Sequence, residues 1–185
     1  MSDVKKIYAG PGIFEWGVDD KGILGSDGII IDLTQGGINF TTTTTYFEPT
    51  TDQTGTAPVK SIATGTTGAI NFETPDMDFE KVTKYNPNAT KVVDGDDETK
   101  VKYQVSGLAG KELPQKRAVI KPQGVTDPSR YIYLESVGIK FDVNAGYKLD
   151  DNLKMTISAM VYPALDATPK GLLYTWGDIT VTATA

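Results

Sequence analysis

Between Thr41 and Pro58 the chain reads TTTTTYFEPTTDQTGTAP. Five threonines followed by Tyr46 and Phe47 are β-branched and aromatic types that suit a pleated strand. Pro49, Asp52, Gly55 and Pro58 then break that pattern with turn and loop chemistry. A connection of this length without secondary structure of its own is uncommon in a compact domain and is usually functional or disordered. Its front half carries almost no charge, and such a strand exposed at a sheet edge pairs with other chains. A lone protein would avoid that edge, whereas one that polymerises would use it.

The rest of the chain agrees with an all-β reading. Of 185 residues 39% are hydrophobic and 23% charged, which marks a globular chain rather than a disordered one. Nineteen glycines and ten prolines favour short strands joined by turns. No linker or shift in composition divides the sequence, so residues 1–185 read as one domain. The opening, MSDVKKIYAGPG, lacks the apolar core of a signal peptide, and the longest aliphatic run is Ile29–Ile31, so no membrane anchor is expected.

Strand candidates are Ile7–Ala9 and Ile13–Trp16 on either side of Gly10-Pro11-Gly12, then Ile29–Leu33, Ile38–Phe47, Val59–Ala63, Ala69–Phe72, Thr99–Val105 and Ala118–Ile120. Val18–Gly28 reads as loop. The clearest pair comes late. Val137, Ile139, Phe141 and Val143 alternate with Lys140, Asp142 and Asn144, and Met155, Ile157, Ala159 and Val161 alternate with polar neighbours. Joined by Ala145–Asn152, they predict an antiparallel hairpin with one apolar and one wet face. Leu172–Trp176 and Ile179–Ala183 complete the set. One helix of about three turns is expected, capped by Thr74 with Pro75 at its first position and stopped by Asn86-Pro87, with Phe79, Val82 and Tyr85 as its apolar stripe. Ile13–Gly17 (IFEWG) and Leu173–Gly177 (LYTWG) echo each other and predict two similar strands, each ending at a Trp-Gly corner.

Composition removes much chemistry. With no cysteine there is no disulfide framework or thiolate metal site, and with no histidine the commonest general base and metal ligand are gone. The net charge of −6 is split as 7 basic and 12 acidic groups in residues 1–92 and 11 and 12 in residues 93–185, which lacks the basic face that nucleic-acid binding needs. Asp94–Glu98 invites a calcium reading, but the glycine and glutamate that a calcium loop requires fall on Thr99 and Val105. Glu15, Glu73, Glu112 and Glu135 lie in separate elements, and no spacing selects a glycosidase pair. No phosphate-loop or dinucleotide signature is present. No enzyme activity, cofactor or metal is therefore expected. Lys116, Arg117 and Lys121 form a small basic cluster, read as a solvated face or as ion pairs between subunits. The alternative to a structural role is a non-catalytic carbohydrate-binding or adhesion β-sandwich, with Trp16 and Trp176 as its platform.

Three stretches taken together resemble the major tail tube proteins of long-tailed bacteriophages. Lys6–Gly12 (KIYAGPG) is similar to the family's opening strand and turn. Asp52–Val59 (DQTGTAPV), followed by Gly65, Ile70, Phe72 and Thr74-Pro75, is similar to the stretch from the long loop to the helix. Gly171–Asp178 (GLLYTWGD) is similar to the closing motif. The resemblance implies a β-sandwich or barrel with one flanking α-helix and a long β-hairpin loop, residues 41–58. It implies hexameric rings stacked into a tube in the virion tail, assembled in the host cytoplasm, with tape-measure and tail-terminator proteins as partners. Double-stranded DNA would pass through without specific binding. Thr43, Tyr46, Phe47, Glu48, Asp52, Gln53, Thr56 and Pro58 are then the inter-ring and subunit contacts. The bore is expected to be polar and net negative, with Asp142 a residue facing it.

Overall fold

The computed structural model describes residues 10–144 and 153–182. Ten strands and one α-helix follow in the order β1 (Gly12–Val18), β2 (Leu24–Ile31), β3 (Gln35–Phe47), β4 (Ile62–Thr74), α1 (Phe79–Tyr85), β5 (Ala89–Val93), β6 (Val101–Val105), β7 (Gln115–Pro122), β8 (Ile132–Asn144), β9 (Lys154–Val161) and β10 (Tyr174–Trp176), with a short 3-10 helix at Pro128–Arg130 before β8. Strand makes up 51% of the described residues and every pairing is antiparallel, so the mainly β expectation holds. The larger sheet runs β2-β1-β7-β8-β9-β4-β3, with β10 also on β8, while β5 and β6 form a separate two-stranded sheet.

The β8–β9 hairpin forms as its alternation predicts, in register from Val137 opposite Val161 to Asn144 opposite Lys154. Val137, Ile139, Met155, Ile157, Ala159 and Val161 are buried, because period-two side chains put one set on the core face. β10 lies on the same side of β8 as β9. Tyr162 N–H donates to the Ser136 carbonyl and Glu135 N–H to the Leu173 carbonyl, so the chain leaves the edge of β8 after Tyr162 and rejoins it at Leu173. Ala164 and Leu172 bridge the neck of that excursion.

Phe14 of β1 and Phe72 of β4 meet with ring centroids 5.4 Å apart, although β7, β8 and β9 separate their strands within the sheet. Phe40 of β3 likewise meets Tyr174 of β10 edge-on at 5.3 Å. The sheet therefore curls over its own apolar face, and that face is the main core, with Trp16, Ile70, Leu134 and Ile157 at its centre. Hydrogen bonding does not close the curl: β2 and β3 remain its two edges. Val18, Val119 and Tyr133 form a smaller cluster, packed by Leu24, Tyr131 and Ile179.

Five expectations change. Leu24–Ile31 is strand, where Val18–Gly28 reads as loop. Its glycines serve close approach rather than a turn: a Cβ on Gly28 would sit 2.5 Å from Leu24 Cδ1, and one on Gly17 would sit 2.9 Å from the Gly28 Cα. The turn itself is shorter, held by the Asp19 carboxylate accepting from the N–H groups of Lys21 and Ile23. Second, Val59–Ala63 and Ala69–Phe72 are not two strands, because β4 runs unbroken from Ile62 through Gly65 and Gly68. Gly68 makes a close approach there, since a Cβ would sit 3.0 Å from Val161 Cβ. Third, β5 was not foreseen, and it pairs with β6.

Fourth, α1 starts at Phe79 with Asp78 as its cap, not at Pro75, and spans seven residues. Thr74 Oγ1 accepts from Asp76 N–H, Asp76 from Asp78 N–H and Asp78 from Glu80 N–H, so three nested turns delay the helix. Val82 and Tyr85 are buried as the stripe predicts, and Phe79 stacks on Tyr103 of β6. Last, residues 179–182 form a turn and an irregular stretch rather than a strand. The expected strand at Ile7–Ala9 and the 145–152 connection lie outside the described residues.

Candidate functional site

β3 and β4 form one long hairpin, but they are supported along only part of it. β4 pairs with β9 from Gly68 to Thr74 and no further. Beyond Gly68, Thr43–Phe47 of β3 and 62–67 of β4 pair only with each other among the described residues. This two-stranded arm projects by about five residues, roughly 17 Å, before the connection begins. Thr44 and Thr66 share a hydroxyl hydrogen bond of 3.0 Å across it, and Thr64 Oγ1 donates to the Thr45 carbonyl at 3.1 Å. Threonine serves both demands of an arm in water: it favours strand backbone and leaves a polar surface on each face.

The loop expected over 41–58 begins later. Residues 41–47 are strand, and the connection runs from Glu48 to Ser61. Short-range bonds order it: Thr54 N–H to the Thr51 carbonyl, Ala57 N–H to the Thr54 carbonyl, and Val59 N–H to the Pro49 carbonyl at 2.9 Å. Ser61 Oγ donates to Glu48 at 2.9 Å. Thr43, Tyr46, Phe47, Glu48, Asp52, Gln53, Thr56 and Pro58 are all exposed and share the outer part of this one arm. Tyr46 (58% exposed) and Phe47 (57%) are joined there by Val59 and Ile62, with Phe47 directly opposite Ile62. The contribution of Ile62 is invisible without the register, because nothing in the sequence says which residue faces Phe47.

Asp142 does not join this group. It is exposed on β8, in the row Asp142–Thr156–Glu73–Gln35, at the opposite end of β3 from the arm. The polar face of β8-β9-β4 carries Lys140 and Lys154 as well as Asp142 and Glu73, and Lys154 pairs with Glu73 at 3.3 Å. Among these four residues the two acidic and two basic charges cancel.

A second feature lies among β1, β3, β7, β8 and β10. An open groove of about 850 Å³ is lined by Ile38, Ile120, Ile132 and Trp176 together with Lys121, Asp127 and Arg130. Trp176 is 69% exposed, whereas Trp16 is wholly buried with its indole N–H donating to the Val137 carbonyl at 2.7 Å. The two Trp-Gly corners are real, with φ of +90° at Gly17 and +116° at Gly177, but only one tryptophan reaches solvent. A two-tryptophan sugar platform does not form.

The basic cluster is spent within the chain. Lys121 pairs with Glu15 at 2.7 Å, Arg117 holds Glu135 through Nε and Nη2, and Lys116 pairs with Asp27. Three of the four glutamates considered as glycosidase candidates are therefore tied in ion pairs on separate strands. Asp94 accepts from the N–H groups of Asp96 and Asp97, which makes its acidic stretch a turn, and no metal-holding group of three or more acidic, cysteine or histidine residues occurs among the described residues. No helix among the described residues is long and apolar enough to cross a membrane. Compared with known proteins, the chain matches no protein-family model, and no curated protein is significantly similar to it.

Proposed function

We infer that the chain is a structural subunit of the tail-tube type, acting by self-association rather than by catalysis. The observation that carries this reading is the β3–β4 arm. Its outer strand has no hydrogen-bonded partner beyond β4 among the described residues, and its end bears four large apolar side chains in water. An isolated two-stranded hairpin is marginal in water, and a long uncovered edge invites another strand. Copies of the same chain satisfy both needs at once. Pairing of the free β3 edge with a different strand of a neighbouring copy is a heterologous contact, which closes into a ring where the rotation from copy to copy allows it.

On this reading the curled sheet and its helix act as a β-sandwich or barrel unit, and β8, β9, β4 and β3 face a common bore. Four strands from each copy of a hexamer make a barrel of about 24 strands, with a backbone diameter of roughly 37 Å before tilt. Barrels of 16–18 strands already hold an aqueous channel, so this one admits a DNA duplex. A wall on which Asp142 and Glu73 offset Lys140 and Lys154, among threonine, serine and asparagine, presents no basic face and so gives passing DNA little to hold. Residues 41–58 reach the next ring, and tape-measure and terminator proteins are the partners at the tube's ends. Deleting 48–56 tests this: thermal unfolding of the body should stay cooperative while light scattering shows assembly lost. Assembly that survives the deletion refutes the role of the arm.

A further inference from the structure

The arm's apolar end and the groove at Trp176 lie at opposite ends of one strand. Ile38 lines the groove and Phe47 sits at the arm's end, nine residues apart along β3, about 30 Å at 3.3 Å per residue. The two surfaces cannot meet within one chain. We propose that the end of the arm, with Phe47, Ile62 and Val59, seats in the Ile38–Ile120–Ile132–Trp176 groove of a second copy. This rests on the self-association reading above and names the contact it uses.

Three observations carry the pairing. The chemistry matches, because the cross-strand pair Phe47–Ile62 is exposed at the end of the hairpin and Ile38, Ile120, Ile132 and Trp176 line the open groove. The size matches, because about 850 Å³ accommodates several side chains of this kind. The placement matches, because a knob and a hole on different parts of one molecule make a heterologous contact, which propagates from copy to copy instead of closing on a pair. With the knob at one end of β3 and the hole at the other, propagation runs along the strand direction.

A single such contact is small. An aromatic side chain buries about 150–250 Å², so the whole seat falls short of the roughly 1,600 Å² of a standard stable interface. Two free copies therefore associate weakly, and an array in which every copy both gives and receives an arm associates strongly. Trp176 is the expected anchor, as an exposed tryptophan lining the groove.

The chain has no cysteine, which makes the contact directly readable. Full-length V59C and Q123C proteins, the first altered on the arm and the second in the groove lining, are mixed at high concentration and oxidised. The expected product is the mixed disulfide, in excess over either self-disulfide, and adding Trp176→Ala to the Q123C protein lowers its yield about tenfold. D166C in place of V59C should give no mixed product. Rings or tubes seen by electron microscopy without the mixed disulfide, and unaffected by Trp176→Ala, overturn this contact and leave the tube reading standing. The mixed disulfide without rings or tubes supports the contact and removes the tube. Absence of both overturns the two together.

Discussion

Replacing each tryptophan in turn by phenylalanine separates two positions that look alike in sequence. Trp16 and Trp176 are the only tryptophans, so each variant keeps a single tryptophan, which can be excited selectively over the nine tyrosines. Trp16→Phe removes the indole N–H that donates to the Val137 carbonyl in a fully buried site, about 1–3 kcal/mol. It also leaves unfilled volume where the second ring lay, about 1 kcal/mol more by the cost of small core cavities. The sum is about 2–4 kcal/mol, and for a chain of this size each kcal/mol lowers Tm by about 2–4 °C. A fall of roughly 4–16 °C is expected for Trp16→Phe, against less than about 2 °C for Trp176→Phe, whose side chain is mostly in water. Circular dichroism melts give the shifts, and acrylamide quenching gives exposure: Trp176 should quench freely in the first variant and Trp16 barely in the second. Equal Tm shifts, or equal quenching, would refute the curl of the sheet that buries β1.

Exposed carboxylates give the chain a defined acid limit. Asp19 is lowered chiefly by the Ile23 N–H, Asp27 by Lys116, Asp97 by Thr99, Asp127 by Ser129 and Asp178 by Thr180. A lowered folded-state pKa contributes stability that is present above the ordinary value of 3.8 and lost as pH falls through the depressed one. With no histidine to titrate, Tm should be level from pH 7 to about 5 and fall below about 4. A marked slope between pH 7 and 5 would contradict this, and Asp19→Asn should make the acid fall shallower. Lys121→Met strands the Glu15 carboxylate, which is nearly buried, and should cost about 1–3 kcal/mol in urea unfolding. Combining it with Glu15→Gln should recover part of that loss, and strict additivity of the two would show that the pair is not coupled. Gly17→Ala, at φ +90° and tight against the Gly28 backbone, should destabilise by about 1–3 kcal/mol, and a neutral result would refute the β1–β2 pinch.

What could be read from the sequence was local and periodic. The β8–β9 hairpin announces itself because two apolar alternations of the right length stand side by side, and α1 because its stripe and its Asn86-Pro87 stop are local signals. The helix start was obscured because Thr74 caps a turn in the same way that it would cap a helix. β2 was hidden by glycines that serve contact across strands rather than reversal, and no local pattern distinguishes the two uses. The fates of Trp16 and Trp176 depend on which strands flank them, a long-range matter. The ion pairs Lys121–Glu15 and Lys116–Asp27 join residues 106 and 89 positions apart, so a basic cluster that looks exposed in sequence is neutralised by strands folded against it. Of the candidate surface, the threonine strand and its aromatic end were legible. Ile62 and the groove lining were not, because both are products of register.

Cryo-electron microscopy of the concentrated protein addresses the association of copies most directly. Rings or tubes in which the outer edge of β3 hydrogen-bonds to a strand of the adjacent copy are the predicted result. Separate copies at every concentration, each with its arm laid back on its own sheet, would contradict it.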